Sequence, residues 1–375
     1  MTRLRKKLEN LAIAIKTRNI NDAHKYAKNT ILILAGITIS SLTNTVIFRK
    51  AKEAKEKTQA AEINQAKTLN EYEDELNKYV SGKNPIQKLA DKVKVGDYVT
   101  YTPDALDSNT LETLKANLNT YSGKSDSTIN AAIDRQDLKW RVLDVQNGQV
   151  RLISETPTTS KIELYGYNGY NNAVKLLDDA CSTLYTNKKL ASRVQNLKIE
   201  DITKYMTTQP REDTTKYLPI NKYYPEILLQ EKGQTVNGTT GNELDLSEQM
   251  EFINQTTKSQ VTSLILKNTY WFQEMNNTNT FKDIKYYELF MNNGSNYSSY
   301  WISSRCVSAY SEYANFSVRC LGNECVGGIN LCNSNGGEGF DSYTFRPIIT
   351  LNSNVQIDTA NSGNGSASDQ AYAIK

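Results

Sequence analysis

Histidine is almost missing from this chain: His24 is the only one in 375 residues. It lies in the first 28 residues, so the rest of the sequence can build neither a Ser-His-Asp or Cys-His nucleophile nor a His-ligated metal site. Apolar residues are also scarce, at 38% with a mean hydropathy of −0.57. That is enough for one sizeable core and excludes a polytopic membrane protein. Positive charge is lacking where a nucleic-acid binder would need it. The net charge is +3, yet residues 1–28 hold eight Lys/Arg against Glu9 and Asp22, which leaves the remainder net negative. Phosphate neutralisation dominates nucleic-acid affinity, so no nucleic-acid partner is expected. What the chain does have is tyrosine, 23 of them against 8 Phe and 3 Trp. Tyrosine joins rigid contact area to a hydroxyl, which suits recognition surfaces better than dry cores.

The one long uncharged run is ILILAGITISSLTNTVIF, residues 31–48. Eighteen helical residues span about 27 Å, close to the hydrocarbon thickness of a bilayer. A basic arm (1–29) precedes the run, and Arg49 and Lys50 close it. This charge order predicts a single-pass anchor in the lipid bilayer with the N-terminus cytoplasmic. A cleaved signal is the rival reading, although a basic region of this length and the lack of a small-x-small site after Phe48 speak against it. Residues 51–80 contain neither Gly nor Pro and carry an Ala-rich stripe at helical spacing, from Ala51 and Ala54 to Leu76 and Tyr79. Anchor and stalk helix together take up 30–80. Such a stripe supports either thin self-association through 51–80 or a solvated single helix.

LILAGITISSLTN, then RKAKEAKEKTQAAE and LNEYEDELNKYV, resembles the N-terminal helix of type IV pilin-like (pseudopilin) surface proteins. The resemblance implies a membrane anchor that can also pack in a fibre. The family's processing site is absent, with Asn21 to Tyr26 standing in its place, so only anchoring carries over.

The body runs over 86–358. VKVGDYVTYTPD (93–104) reads as a strand, and Leu111, Leu114 and Leu118 are spaced for a short helix in a polar insertion near 105–137. LKWRVLDV and QVRLISET flank Asn147-Gly148, the pair that a tight hairpin prefers. Val174, Leu176, Leu177, Ala180, Cys181, Leu184 and Tyr185 form one helical face. Further helical stretches are expected at Ala191–Leu197 and from Ile199 to Ile202. Residues 207–260 read as an irregular insertion. YWISSRCV, YANFSVRCL, CVGGINLCNS and YTFRPIITL each have strand length, and the composition of 359–375 predicts a disordered tail.

The order GDYV, W-R-V-L, YWISSR, F-R-P-I-I-T-L resembles an uncharacterised bacterial surface domain related to the C-type-lectin-like fold, in the branch that holds formylglycine-generating enzymes. The fold class this implies is α+β: a C-type-lectin-like head with an antiparallel sheet, preceded by the long N-terminal transmembrane and stalk helix. It also implies that the Arg-Pro strand closes the sheet. Arg346 is then structural, bound to a carboxylate or to backbone carbonyls, and Trp140, Trp301 and Arg305 are read as structural with it.

Little chemistry survives. Cys306, Cys320, Cys325 and Cys332 lack zinc-knuckle spacing, so neither a metal nor a cofactor is expected. A turn at 322–324 brings Cys320 and Cys325 near each other, giving a disulfide outside the cell or buried free thiols. The sugar-binding tripeptides of calcium lectins do not occur, nor does the Cys-rich motif of formylglycine-generating enzymes, so no catalytic residue is nominated.

What remains is a surface. Tyr310, Tyr313, Asn315, Asn330, Asn333, Asn335, Asp341 and Tyr343 have the composition of a paratope. The expected protein is a membrane-anchored, non-enzymatic bacterial surface protein whose extracellular head binds an external macromolecule or glycan. The alternatives are a minor pilin-like subunit of a filament and a degenerate formylglycine-generating-enzyme relative.

Overall fold

The computed structural model describes residues 87–207, 216–217, 222–225, 235–236, 239–240, 249, 251–253, 259–261, 264–270, 273–275, 280–291, 299–322 and 325–375. The basic arm, the apolar run 31–48 and the stalk 51–80 lie outside them, as does most of 207–260. In chain order the described residues form β1 (Tyr98–Thr100), α1 (Ser108–Tyr121), α2 (Thr128–Ala131), β2 (Trp140–Gln146), β3 (Gln149–Ser154), β4 (Lys161–Tyr165), α3 (Gly166–Tyr185), β5 (Ala191–Asn196) and α4 (Ile199–Thr203). Short strands follow: β6 (Lys216–Tyr217), β7 (Lys222–Tyr224), β8 (Thr235–Val236), β9 (Thr239–Thr240), β10 (Ser259–Val261), β11 (Leu264–Lys267) and β12 (Gln273–Glu274). Then come α5 (Ile284–Met291), β13 (Tyr300–Ala309), β14 (Ala314–Gly322), β15 (Cys325–Asn333), β16 (Phe340–Phe345), β17 (Pro347–Leu351) and β18 (Tyr372–Ala373).

Local chemistry accounts for several of these. Asp107 opens α1 by accepting the Thr110 amide at 2.8 Å, and Leu114 and Leu118 bury one face of the helix. The β2–β3 hairpin turns at Asn147 (φ 51°) and Gly148 (φ 76°), the left-handed conformation that these two residue types adopt at least cost. In α3 the predicted face from Val174 to Tyr185 is fully buried.

Two six-stranded sheets organise the body, in the orders β18-β1-β2-β3-β17-β5 and β12-β15-β14-β13-β16-β4. Helix α3 packs on the second sheet, where Tyr170 meets Phe316 with ring centroids 5.7 Å apart. The two sheets are joined by the segment expected as one strand, YTFRPIITL. It breaks at Arg346, so that β16 belongs to the second sheet and β17 to the first. Arg346 is fully buried at the break and spends its donors on backbone carbonyls. Nε and Nη2 reach the Ser154 carbonyl at 3.1 and 2.9 Å, Nη2 reaches that of Glu155 at 2.9 Å, and Nη1 that of Phe290 at 3.1 Å. Buried Asn196 ties the same junction, accepting the Arg346 amide at 2.8 Å and donating to the Trp301 carbonyl at 3.0 Å.

The expected fold class is corrected here. Instead of an α+β head with an antiparallel sheet, the body is mixed α/β around two six-stranded sheets, each holding one parallel pair, β1 with β18 and β13 with β16, with a two-stranded and a four-stranded sheet besides. No helix among the described residues is long and apolar enough to cross a membrane, so the expected single-pass transmembrane helix has no counterpart among them; the run 31–48 lies outside the described residues. The longest described helix, α3, has 20 residues but carries Lys175, Asp178 and Asp179. Two local expectations change as well. Ala191–Asn196 is a strand rather than a helix, because it pairs antiparallel with β17. Residues 359–375 are ordered rather than disordered, held by backbone hydrogen bonds that composition does not reveal.

Candidate functional site

The sheet strand β13 leads into a tight turn at Ser311-Glu312, closed by the Tyr310 amide on the Tyr313 carbonyl at 2.9 Å. The turn sets Tyr310 and Tyr313 side by side, with centroids 4.7 Å apart and rings 21° from parallel. They are 44% and 37% exposed. Ser308 Oγ donates to the Tyr310 hydroxyl at 3.0 Å. On the strands behind the turn, Asn330 Nδ2 donates to Asn315 Oδ1 at 3.1 Å, and Asn315 stands opposite both Ser308 and Asn333. These side chains form one surface of rings and amides.

Asn333 serves that surface indirectly. Its Oδ1 accepts the amides of Asn335 and Gly337, both at 3.0 Å, and folds the 333–337 loop around itself. Its carbonyl accepts the Tyr167 hydroxyl at 2.6 Å. Burial raises the pKa of Tyr167, and the neighbouring Cys332 and Glu338 side chains add to the effect, so it stays a neutral donor. Glu338 Oε1 in turn receives the Tyr167 amide at 3.4 Å, placing an anion at the N-terminus of α3.

Two residues at this end carried no signal in the sequence. Ser334 is fully buried; its Oγ accepts the Ala314 amide at 2.8 Å, its amide donates to the Ala314 carbonyl at 2.9 Å, and its carbonyl accepts the Tyr223 amide at 2.9 Å. One small residue thus joins the β13–β14 turn, the 333–337 loop and β7. Tyr223 is 38% exposed and lies over Gly336, which has φ +90°. Its sequence distance from the other tyrosines hid it.

Asp341 and Tyr343 do not belong to this surface. They lie on β16, which runs beside the first residues of β13 through the pairs Tyr300–Thr344 and Trp301–Phe345, away from the turn. Tyr343 packs on Trp301 with centroids 4.8 Å apart. Burial raises its pKa, and the Asp341 carboxylate beside it adds to the effect.

Trp140 is buried edge-on between Tyr101 (5.4 Å) and Tyr185 (5.7 Å). Trp301 is buried with Nε1 donating to the Ile162 carbonyl at 2.8 Å. Arg305 reaches the Asn171 carbonyl at 2.7 Å and sits over the Tyr170 ring.

The proposed cysteine pair is corrected by the register. Cys320 faces Gly327 and Cys325 faces Gly322, so the two thiols are diagonal neighbours and both are free. Diagonal positions lie about 7–8 Å apart, beyond the reach of a disulfide. Burial pushes the Cys320 thiol up to about 12, with Cys325 and Cys306 adding to it. At neutral pH it is the unreactive thiol form. Among the described residues, no three His, Cys, Asp or Glu side chains converge to hold a metal ion.

One ionic cluster stands apart, between the first sheet and α4. Arg151 pairs with Asp144 at 2.6 Å and with Asp201 at 2.5 Å, and the Tyr205 hydroxyl donates to Asp144. The side chains of Asp144, Arg151 and Asp201 are only 7–13% exposed, and half-exposed Lys204 adds a fourth charge at 3.5 Å from Asp144. No family model, no curated protein and no solved structure matches this chain.

Proposed function

We propose that this protein is a non-enzymatic recognition protein that binds an external macromolecule or glycan through the Tyr310–Tyr313 end of its second sheet. The observation that carries this reading is the pair of exposed, mutually stacked tyrosines on a closed two-residue turn. Rings held at a rigid turn present apolar area without the loss of freedom that a mobile loop would incur on binding. Tyr223 extends the ring surface, and the amides of Asn315 and Asn330 give it direction through hydrogen bonds. Within 308–315 only Glu312 is charged, which suits a polar, largely uncharged ligand face.

The test is a glycan and protein array probed with the full chain and with Tyr310→Ala/Tyr313→Ala. The double variant should lose all array binding while its melting temperature moves by no more than about 3 °C. Binding retained by the variant would overturn the reading, and so would collapse of its fold, which would assign the two rings to the core.

A further inference from the structure

Residues 372–375 do not lie on the outside of the first sheet. On one side they run parallel to β1, with Tyr372 beside Val99 and Ala373 beside Thr100. On the other side they pair antiparallel with 356–358. Ile374 bridges Ile357, the Lys375 amide donates to the Gln356 carbonyl at 3.0 Å, and the Asp358 amide to the Ala373 carbonyl at 2.9 Å. The 356–358 segment is bonded in turn to residues 87–89, through the Lys88–Gln356 bridge and the Ile357 amide on the Gln87 carbonyl at 2.9 Å. The segment 372–375 therefore fills a slot between β1 and 356–358, and the chain entry at 87–89 is hydrogen-bonded to the far side of that slot.

The filling is held by little that is specific. Tyr372 and Ile374, alternate residues on one face of the strand, pack at the rim of the main core while remaining partly exposed. The Tyr372 ring rests on Gly365, where φ is +77° and a Cβ would come within 2.5 Å of Cε2. Gly365 is itself fastened to β1 by the Tyr98 amide at 2.8 Å. Apart from the Ser362 Oγ, which accepts the Ala373 amide at 3.1 Å, the bonds described are backbone to backbone, which any extended segment could make, and this is how strand addition works. Most of 359–370 is exposed and polar. The stretch from Asp358 to Tyr372 could reach about 45 Å if extended.

We propose that this slot is a strand-binding site for an extended Tyr-x-Ile segment, filled in cis by residues 372–374 and open in trans to the same segment of a second copy. Tyr and Ile supply the side-chain specificity, and β1 with 356–358 supplies the affinity of a two-sided ladder.

The experiment is hydrogen exchange on the full chain and on Tyr372→Ala/Ile374→Ala, each with and without a synthetic peptide of residues 366–375. In the variant, exchange at Leu89, Gln356 and Ile357 should rise at least tenfold, while Ile348 and Ile349 on β17 stay as protected as before. The added peptide should restore that protection, and the same peptide carrying both alanines should not. Unchanged exchange at 356–357, a uniform rise that includes β17, or failure of the peptide to restore protection would each overturn the proposal.

Discussion

The two ends of β13 carry the same residue type to opposite purposes. At its start Tyr300 is fully buried and donates its hydroxyl to the Phe290 carbonyl at 3.1 Å, beside Trp301 and the Arg346 junction. Just past its other end Tyr310 is 44% exposed and touches little besides Tyr313 and Ser308. One end is a node where two sheets, α5 and an arginine meet. The other is a turn closed by its own bond, rooted in the Ala309–Ala314 pair and fastened to Ser334. The difference lies in what covers each end, and covering is set by segments far away in sequence.

Breaking the buried end should cost most. Arg346→Leu strands the carbonyls of Ser154, Glu155 and Phe290, and should destabilise the body by about 4 kcal/mol in urea melts. Arg346→Lys should recover only part of this, because an ammonium cannot reproduce the planar fork. The ionic cluster comes next. Burial alone would raise the Asp144 carboxyl, but the guanidinium of Arg151 and the donors Tyr205 and Gln146 hold it below the usual carboxylate range. Its contribution is therefore complete above the unfolded carboxylate value of about 3.9 and is lost as the pH falls through the lower folded value. Asp144→Asn should cost about 3 kcal/mol at neutral pH and flatten the acid limb of a stability–pH profile; an unchanged limb would show that other carboxylates set it.

At the exposed end the effects on stability shrink while those on binding grow. Ser334→Ala removes the acceptor of the buried Ala314 amide while keeping the backbone bonds to Ala314 and Tyr223, and should cost about 1 kcal/mol in melts, with weaker ligand capture as the turn loosens. Tyr310→Ala/Tyr313→Ala should cost under about 1 kcal/mol and abolish capture. If the last two variants lost stability in the reverse order, the tyrosine pair would belong with the buried end.

How much of this could be read from the chain follows from the range of the forces involved. The Asn147-Gly148 hairpin and the buried face of α3 were legible because turn chemistry and helical period act over a few residues. The strand at Ala191–Asn196 was not, because its pairing with β17 overrides a helical pattern. Tyr310 and Tyr343 look alike in sequence, and only the opposite ends of β13 beside which they lie separate the exposed ring from the one packed on Trp301. Ser334 has no local signature, since its three bonds go to Ala314 of β14 and Tyr223 of β7. The break at Arg346 was hidden inside a run that reads as one strand.

That break also dictates a timetable. The guanidinium meets the Ser154 carbonyl across 192 positions of chain, so the seam between the two sheets cannot be completed until residue 346 has been synthesised and has threaded into place. Until then the ribosome-bound chain carries a finished β2–β3 hairpin beside an unclosed seam. Contacts of such long sequence separation form slowly. Maturation of this body should therefore be governed by a single late closure, and a chain truncated just before Arg346 should accumulate as two half-folded layers.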